Sequence, residues 1–161
     1  MNDLNDFLGQ TVKEVKTGPG PKFGIQRKRK IRDTLRQGEK SEIDFAHKAL
    51  SEHNLVVSNP VVTTDYDLVL ENSAGILKKI QVKSSQKGNG NVNICKGTSS
   101  GGGSGKYVYP KDAIDYFAVH DIVHDTWYMI PRSVTGDKMS LRIALKSEGI
   151  YTKYKEDWTF V

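Results

Sequence analysis

Four side chains of the kinds that do chemistry fall at spacings that would set them against one another: Glu42, Asp67, Gln81 and Lys83. Asp67 lies in Tyr66-Asp67-Leu68-Val69-Leu70, and Gln81 and Lys83 lie in Ile80-Gln81-Val82-Lys83-Ser84, two runs of strand-forming composition. Side chains alternate across a strand, so the single residue between Gln81 and Lys83 puts both on one face, with Ile80 and Val82 on the other. If the turn-like Asn72-Ser73-Ala74-Gly75 closes a hairpin pairing Glu71 with Leu77, Asp67 falls opposite Gln81 and Lys83 lies just beyond. A slip of one residue would undo this. Carboxylate and carboxamide oxygens hold Mg²⁺ while leaving positions for water and a phosphate oxygen. Such an ion is a Lewis acid and lowers the pKa of bound water, and a lysine beside the line of attack orients or deprotonates that water and steadies developing charge. The chemistry is phosphodiester hydrolysis. The plain alternative is ordinary surface, with Asp67 and Lys83 as a cross-strand ion pair and Gln81 as polar filler.

The elements that must position these residues can be read in outline. From Glu39 to His53 the apolar Ile43, Phe45, Ala46, Ala49 and Leu50 recur at helical spacing. Glu42 heads the sector of Ala46, Ala49, Leu50 and Ile43, away from a wet face of Asp44, Lys48 and Ser51. An acid aimed inward needs a cation or a proton. Glu39, one turn earlier, is its rival. Strands are expected at Leu55–Val57, Tyr66–Glu71, Leu77–Ser84 and, more weakly, Asn91–Ile94; Asp115–His120 and Thr126–Ile130 form a second pair around His124-Asp125. Pro110 to Ile114 reads as one helical turn, Pro131 as the opening of a short helix, and the tail from Leu141 has no clear assignment. The Gly/Ser-rich stretch 97–105 reads as a loop without packing of its own, one that DNA would order, with Lys96, Lys106 and Lys111 nearby.

Charge divides the chain. Residues 1–37 carry nine Lys/Arg against four Asp/Glu, and the remaining residues carry fifteen of each, so the whole net +5 sits at the N-terminal end. Its densest part is Arg27, Lys28, Arg29 and Lys30, followed by Arg32 and Arg36. Clustered cations release counterions from phosphates, which gives salt-sensitive, sequence-blind attraction to nucleic acid; a solvated basic tail is the alternative. Gly18-Pro19-Gly20-Pro21 separates an amphipathic stretch at 3–16 from a basic helix at 25–36. Residues 1–37 are therefore expected to be a basic DNA-contacting extension and 38–161 one folded domain. The lone Cys95 excludes an internal disulfide framework. With no long apolar run and no signal-like start, no membrane association is expected, and the location expected is cytoplasmic.

Other residues invite chemistry less. His124-Asp125 suits a hairpin turn, and His120 therefore does not complete a His-metal set. His47 and His53 lack a His-Glu-x-x-His pattern, and Tyr66, Tyr116, Phe117, Trp127 and Tyr128 read as core.

The order Gly38-Glu39-Lys40-Ser41-Glu42, Tyr66-Asp67-Leu68-Val69-Leu70 and Ile80-Gln81-Val82-Lys83-Ser84 resembles the PD-(D/E)XK nuclease superfamily of restriction enzymes and Holliday junction resolvases. Val108 to Val119, followed by Trp127-Tyr128-Met129-Ile130-Pro131, resembles later strands of its small members. The resemblance implies an α/β fold with a restriction-endonuclease-like central mixed sheet of about four or five strands flanked by helices. By position it implies Glu42 as the supporting acid, Asp67 as the central metal ligand, Lys83 as the catalytic lysine, and Gln81 with the Val82 carbonyl as further ligands. Gln81 departs from the usual Glu or Asp and removes one negative charge, a variant similar to that of intron-associated homing endonucleases of this fold and of some resolvase-like proteins. Ser85 and Gln86 are expected to extend the site toward the phosphate, and Ser85 and Lys87 to contact the DNA. The function expected is Mg²⁺-dependent, site-specific cleavage of double-stranded DNA, with Mn²⁺ able to substitute. Because one site cuts one strand, a homodimer or homotetramer is expected. The rivals are a Holliday junction resolvase, an RNA-processing nuclease and a DNA-binding module on the same fold that has lost hydrolysis.

Overall fold

The computed structural model describes residues 33–85, 87–97, 105–143 and 148–159. The segment read as helical at 3–16, the cluster Arg27, Lys28, Arg29, Lys30 and Arg32, and Gln86 lie outside the described residues, as does most of the Gly/Ser-rich stretch.

The first described element is helix α1, Asp33–His53. It begins upstream of the expected Glu39 and runs through Gly38, because Arg36, Gln37, Glu39 and Lys40 are good helix formers and one glycine costs only about 1 kcal/mol. Its buried line is Ser41, Phe45 and Ala49, whereas Ile43 and Leu50 are 68% and 63% exposed. This corrects the expected stripe: the sheet meets the side of the helix centred on Phe45, and Asp44 and Lys48 are partly covered while Ile43 and Leu50 face outward. Phe45 explains the choice, since it fits between Trp127 and Trp158 at ring-centroid distances of 5.1 and 5.2 Å. Glu42 consequently lies at the border of the buried face, partly exposed.

The strands follow as β1 (Val56–Ser58), β2 (Leu68–Glu71), β3 (Leu77–Ser85), β4 (Asn91–Asn93), β5 (Lys96–Gly97), β6 (Lys106–Tyr107), β7 (Tyr116–Asp121) and β8 (Thr126–Pro131), then the short helix α2 (Arg132–Thr135) and β9 (Ser140–Arg142). The central sheet has the order β1-β2-β3-β7-β8. Only β3 and β7 pair in parallel, so the sheet is mixed, as expected. A parallel pair cannot be joined by a tight turn, and the chain from β3 to β7 detours through β4, β5 and β6.

The hairpin register is the expected one: β2 and β3 pair Glu71 with Leu77 and Leu68 with Ile80. The turn between them is fixed by Asn72, whose Oδ1 accepts from the N–H groups of Ala74 and Ile76, both at 3.0 Å, and by Gly75 at φ 76°. Period-two alternation then divides the core. Leu68, Leu70, Ile80, Val82, Ala118, Trp127 and Met129 pack with Phe45 and Ala49 on the α1 side. Phe117, Val119, Tyr128 and Ile130 pack with Val92, Ile94, Tyr109, Leu141 and Ile143 on the opposite side. Strand β9 pairs with β4, which gives the unassigned tail its place.

The aromatic positions read as core are so placed; of the two helix histidines read as structural, His53 is packed but His47 is exposed on α1. Phe117, Trp127 and Tyr128 are buried, and Tyr66 and Tyr116 pack at the edges of the core. His53 stacks on Trp158 at 4.2 Å. His124 Nδ1 lies 2.7 Å from Asp121 Oδ2 and His120 Nε2 lies 3.2 Å from Asp125 Oδ1, both at the β7–β8 turn, where Asp125 takes φ 47°.

Candidate active site

Asp67 precedes β2 by one residue and is held to β3 by its own N–H, which donates to the Ile80 carbonyl at 2.9 Å. That bond continues the hairpin register and sets the Asp67 carboxylate against Gln81. Two groups then donate to one oxygen, Asp67 Oδ2: the Val82 N–H at 2.8 Å and the Gln81 amide nitrogen. The same amide nitrogen also lies 3.4 Å from the Val82 carbonyl oxygen. A donor carrying partial positive charge therefore sits between a carboxylate and a carbonyl.

Lys83, two residues along β3, projects from the same face as Gln81. Its Nζ donates to the Tyr109 hydroxyl at 3.2 Å and stands 5.4 Å from that ring's centroid. Tyr109 is anchored in turn by Arg132 of α2, whose Nη2 donates to the Tyr109 carbonyl at 2.6 Å. Glu42 reaches the same place from α1. Gly38, Ser41, Glu42, Asp67, Gln81, Val82, Lys83, Lys87, Asn91, Asn93 and Cys95 are among the residues lining one cleft of about 830 Å³.

Electrostatics bear the marks of charges gathered out of water. Burial pushes the Glu42 carboxyl up, and the neighbouring Asp67 and Glu39 carboxylates add to this. Burial likewise pushes Asp67 up, against the pull of the Val82 N–H, Lys83 and Gln81. Lys83 is pushed down by burial, against Asp67, Cys95 and Glu42. Burial and the nearby carboxylates also raise the Tyr109 phenol. The Lys83 amine offsets the burial of both carboxylates only in part.

Among the described residues no group of three or more His, Cys, Asp or Glu side chains stands ready for a metal ion. The donors here are two carboxylates, a carboxamide and a main-chain carbonyl. Mg²⁺ is commonly held by one or two carboxylates and completes its shell with water and phosphate oxygens. The undercompensated pair, and the amide donor occupying the space between Asp67 and the Val82 carbonyl, fit such an ion. Glu42, Asp67, the Gln81 amide oxygen and the Val82 carbonyl would hold it.

The sequence-selected residues do not all meet here. Glu42, Asp67, Gln81, Val82 and Lys83 come together, and the exposed Lys87 lies on the cleft wall. Ser85 does not: it is 1% exposed, on the packed face beside Asp121 of β7, so its hydroxyl is not placed to reach a phosphate. Arg36 is exposed on α1 and does not line the cleft. Sequence reasoning missed Tyr109, Asn91 and Asn93. Nothing local to Tyr109 signals its role, whereas the alternation of Asn91 and Asn93 with Val92 and Ile94 does mark one wet face.

Comparison with known proteins follows the same lines. A sequence search of curated proteins finds no match. Among solved structures, a bacterial homing endonuclease, I-Ssp6803I, shares the fold with a TM-score of 0.66 at 21% identity, over 78% of this chain and 90% of its own. MepB aligns over 72% of this chain and 95% of its own at 16% identity, with a TM-score of 0.37 that carries no argument. The family model described as PD-(D/E)XK endonuclease matches residues 32–161. With the cleft built from Asp67, Gln81 and Lys83 on one hairpin, the chain belongs to the PD-(D/E)XK endonuclease family.

Proposed function

We propose that this DNA endonuclease is Mg²⁺-dependent and cuts double-stranded DNA at specific sites, in the manner of a homing endonuclease. The observation that carries the reading is the convergence of Glu42, Asp67 and Lys83 on one open cleft, with both carboxylates raised by burial. The shared fold with a bacterial homing endonuclease supports the biological role.

In this reading Asp67 and Glu42 supply the negative charge at the cleft, and Gln81 turns its amide so that oxygen faces inward. Mg²⁺ held there would supply Lewis acidity toward the scissile phosphate and would lower the pKa of a water. Lys83, made less basic by burial, would orient the attacking water and take its proton; its bond to the Tyr109 hydroxyl fixes where the amine points. Tyr109 stays a neutral phenol, so it steers Lys83 without adding charge. The basic extension, proposed over 1–37 and so running into the first turn of α1, would lengthen the DNA contact, and two copies or a tetramer would supply a site for each strand. No described helix is long and apolar enough to cross a membrane.

The test is digestion of genomic DNA with Mg²⁺, or Mn²⁺ in its place, followed by end-mapping, with four-way junctions digested in parallel. Discrete ends on linear duplex, lost with Lys83→Ala, are expected. Preferred cutting of junctions at any sequence, or no metal-dependent cutting, would overturn the reading.

A further inference from the structure

Strands β4 and β9 lie outside the central sheet and form a two-stranded antiparallel ribbon of their own. Its register pairs Asn91 with Arg142, Val92 with Leu141 and Asn93 with Ser140. Backbone bonds at 2.9 Å, from Ile143 N–H to the Gly90 carbonyl and from Ile94 N–H to the Met139 carbonyl, extend the pairing at each end. One face is wholly apolar: Val92, Ile94, Leu141 and Ile143 are each 3% exposed or less and belong to the core opposite α1. Gly90 makes the approach possible, since a Cβ there would stand 2.1 Å from the Ile143 carbonyl oxygen and the residue takes φ +72°.

The other face is Asn91, Asn93, Ser140 and Arg142, all exposed. Asparagine is among the residues least suited to strands, so two of them in a three-residue strand run against local preference. Such a breach of local rules marks a functional surface. Solubility alone would be met by lysine, glutamate or threonine. Asn91 and Asn93 also line the cleft that holds Asp67 and Lys83, and the lysine at 87 stands beside them. Among the described residues Arg142 has no ion-pair partner.

We propose that this ribbon enters the major groove next to the cleaved phosphate and reads base edges there through Asn91, Asn93 and Arg142. The inference rests on the reading of the protein as a nuclease of duplex DNA. A two-stranded ribbon fits the major groove, asparagine bonds adenine through N6 and N7, and arginine bonds guanine through O6 and N7. Outward pairs two residues apart are separated by about 6.8 Å along the strand, close to two base-pair steps of about 3.4 Å. The ribbon therefore sets preference at about two positions of the target, two base-pair steps apart. Its apolar back, clamped to the core, holds it rigid enough to discriminate.

The experiment is selection of bound duplexes from a randomised library by the full chain, with Ca²⁺ replacing Mg²⁺ so that binding is read without cutting. Arg142→Lys keeps the charge and loses the planar fork; Asn91→Ala and Asn93→Ala remove the amides. The expected result is loss of discrimination at one position or at two positions two base-pair steps apart, on the order of 5- to 150-fold, with the salt dependence of binding unchanged in Arg142→Lys. An unaltered preference, or equal weakening on every sequence, overturns the proposal. Arg142→Lys keeps the test decisive should an asparagine variant fail to fold, which thermal melting reports. If the wild type selects a sequence without ever cutting, the nuclease reading fails and the ribbon stands. If it cuts with no preference, the ribbon fails and the nuclease stands; if it binds no duplex, both fall.

Discussion

Substitution Asp67→Asn separates the charge of the site from its architecture. Both hydrogen bonds to the Asp67 side chain end on a single oxygen, Oδ2, from the Val82 N–H and the Gln81 amide. An asparagine with its carbonyl oxygen in that position accepts both, so only the negative charge is removed. Hydrogen bonds to a charged acceptor contribute about 1.5–3 kcal/mol against about 0.5–1.5 for a neutral one, so the exchange costs roughly 1 kcal/mol per bond. Against this, a carboxylate already disfavoured by burial disappears, together with its repulsion of Glu42. The two effects nearly cancel, and the metal-free variant is expected within about 1 kcal/mol of wild type. With Mg²⁺ at a hundred times its Kd, the wild type gains about 2.7 kcal/mol, which at about 3 °C per kcal/mol for a chain of this size is a rise of roughly 8 °C in Tm. Asp67→Asn, lacking the central ligand, should rise by less than about 2 °C over the same titration. Lewis-acid assistance worth several kcal/mol corresponds to a cleavage loss of about a thousandfold. Differential scanning fluorimetry across a Mg²⁺ series and single-turnover cleavage measure the two effects. A variant with the wild-type Mg²⁺ response, or cutting within about tenfold of wild type, would refute the reasoning.

Other perturbations extend this. The folded pKa of Asp67 stands above its ordinary 3.8, so the folded state binds more protons and the group's contribution falls as pH rises through 3.8 to the raised value. Metal-free wild type should therefore lose stability relative to Asp67→Asn on going from acid toward neutral pH, and Mg²⁺ should abolish that trend; denaturant melts that run parallel at all pH values would contradict it. Gln81→Glu restores an acid beside Asp67, so metal-free stability should drop by about 1–2 kcal/mol and the Mg²⁺ concentration for half-maximal stabilisation should drop at least about tenfold. A weaker Mg²⁺ response in that variant would show that Gln81 does not face the ion.

The residues that were legible in sequence are those governed by short-range geometry. The pairing of Glu71 with Leu77 follows from a local turn, and it carries Asp67 to Gln81 without further information. Helix α1 was harder because its sequence has apolar residues on two sides: Phe45 and Ala49 on one, Ile43 and Leu50 on the other. Which side is buried is decided by Trp127 and Trp158, far along the chain, and angular arithmetic on the helix alone could not include them. Strand β9 was illegible for a related reason, since three residues without a pattern of their own find a partner in β4 only through the fold. Ser85 shares the period of Gln81 and Lys83, but β7 pairs alongside and Asp121 comes beside it, so the extrapolation runs into packed interior. Tyr109 meets Lys83 across a gap of 26 residues, through an anchor on α2.

The parallel pairing of β3 with β7 obliges the chain to travel from one strand to the other through residues 86–115, and that passage carries Asn91, Asn93 and Tyr109. In the proposed reading the hairpin that carries Asp67, Gln81 and Lys83 is complete before the passage starts, apart from the Tyr109 phenol to which Lys83 donates. Evolution can therefore lengthen, shorten or rewrite this stretch, along with the distant strand that zips to it, and leave the chemistry in place. Retargeting in such a scaffold becomes a matter of grafting one excursion and its facing strand between relatives, with Tyr109 retained as the fixed point of the graft.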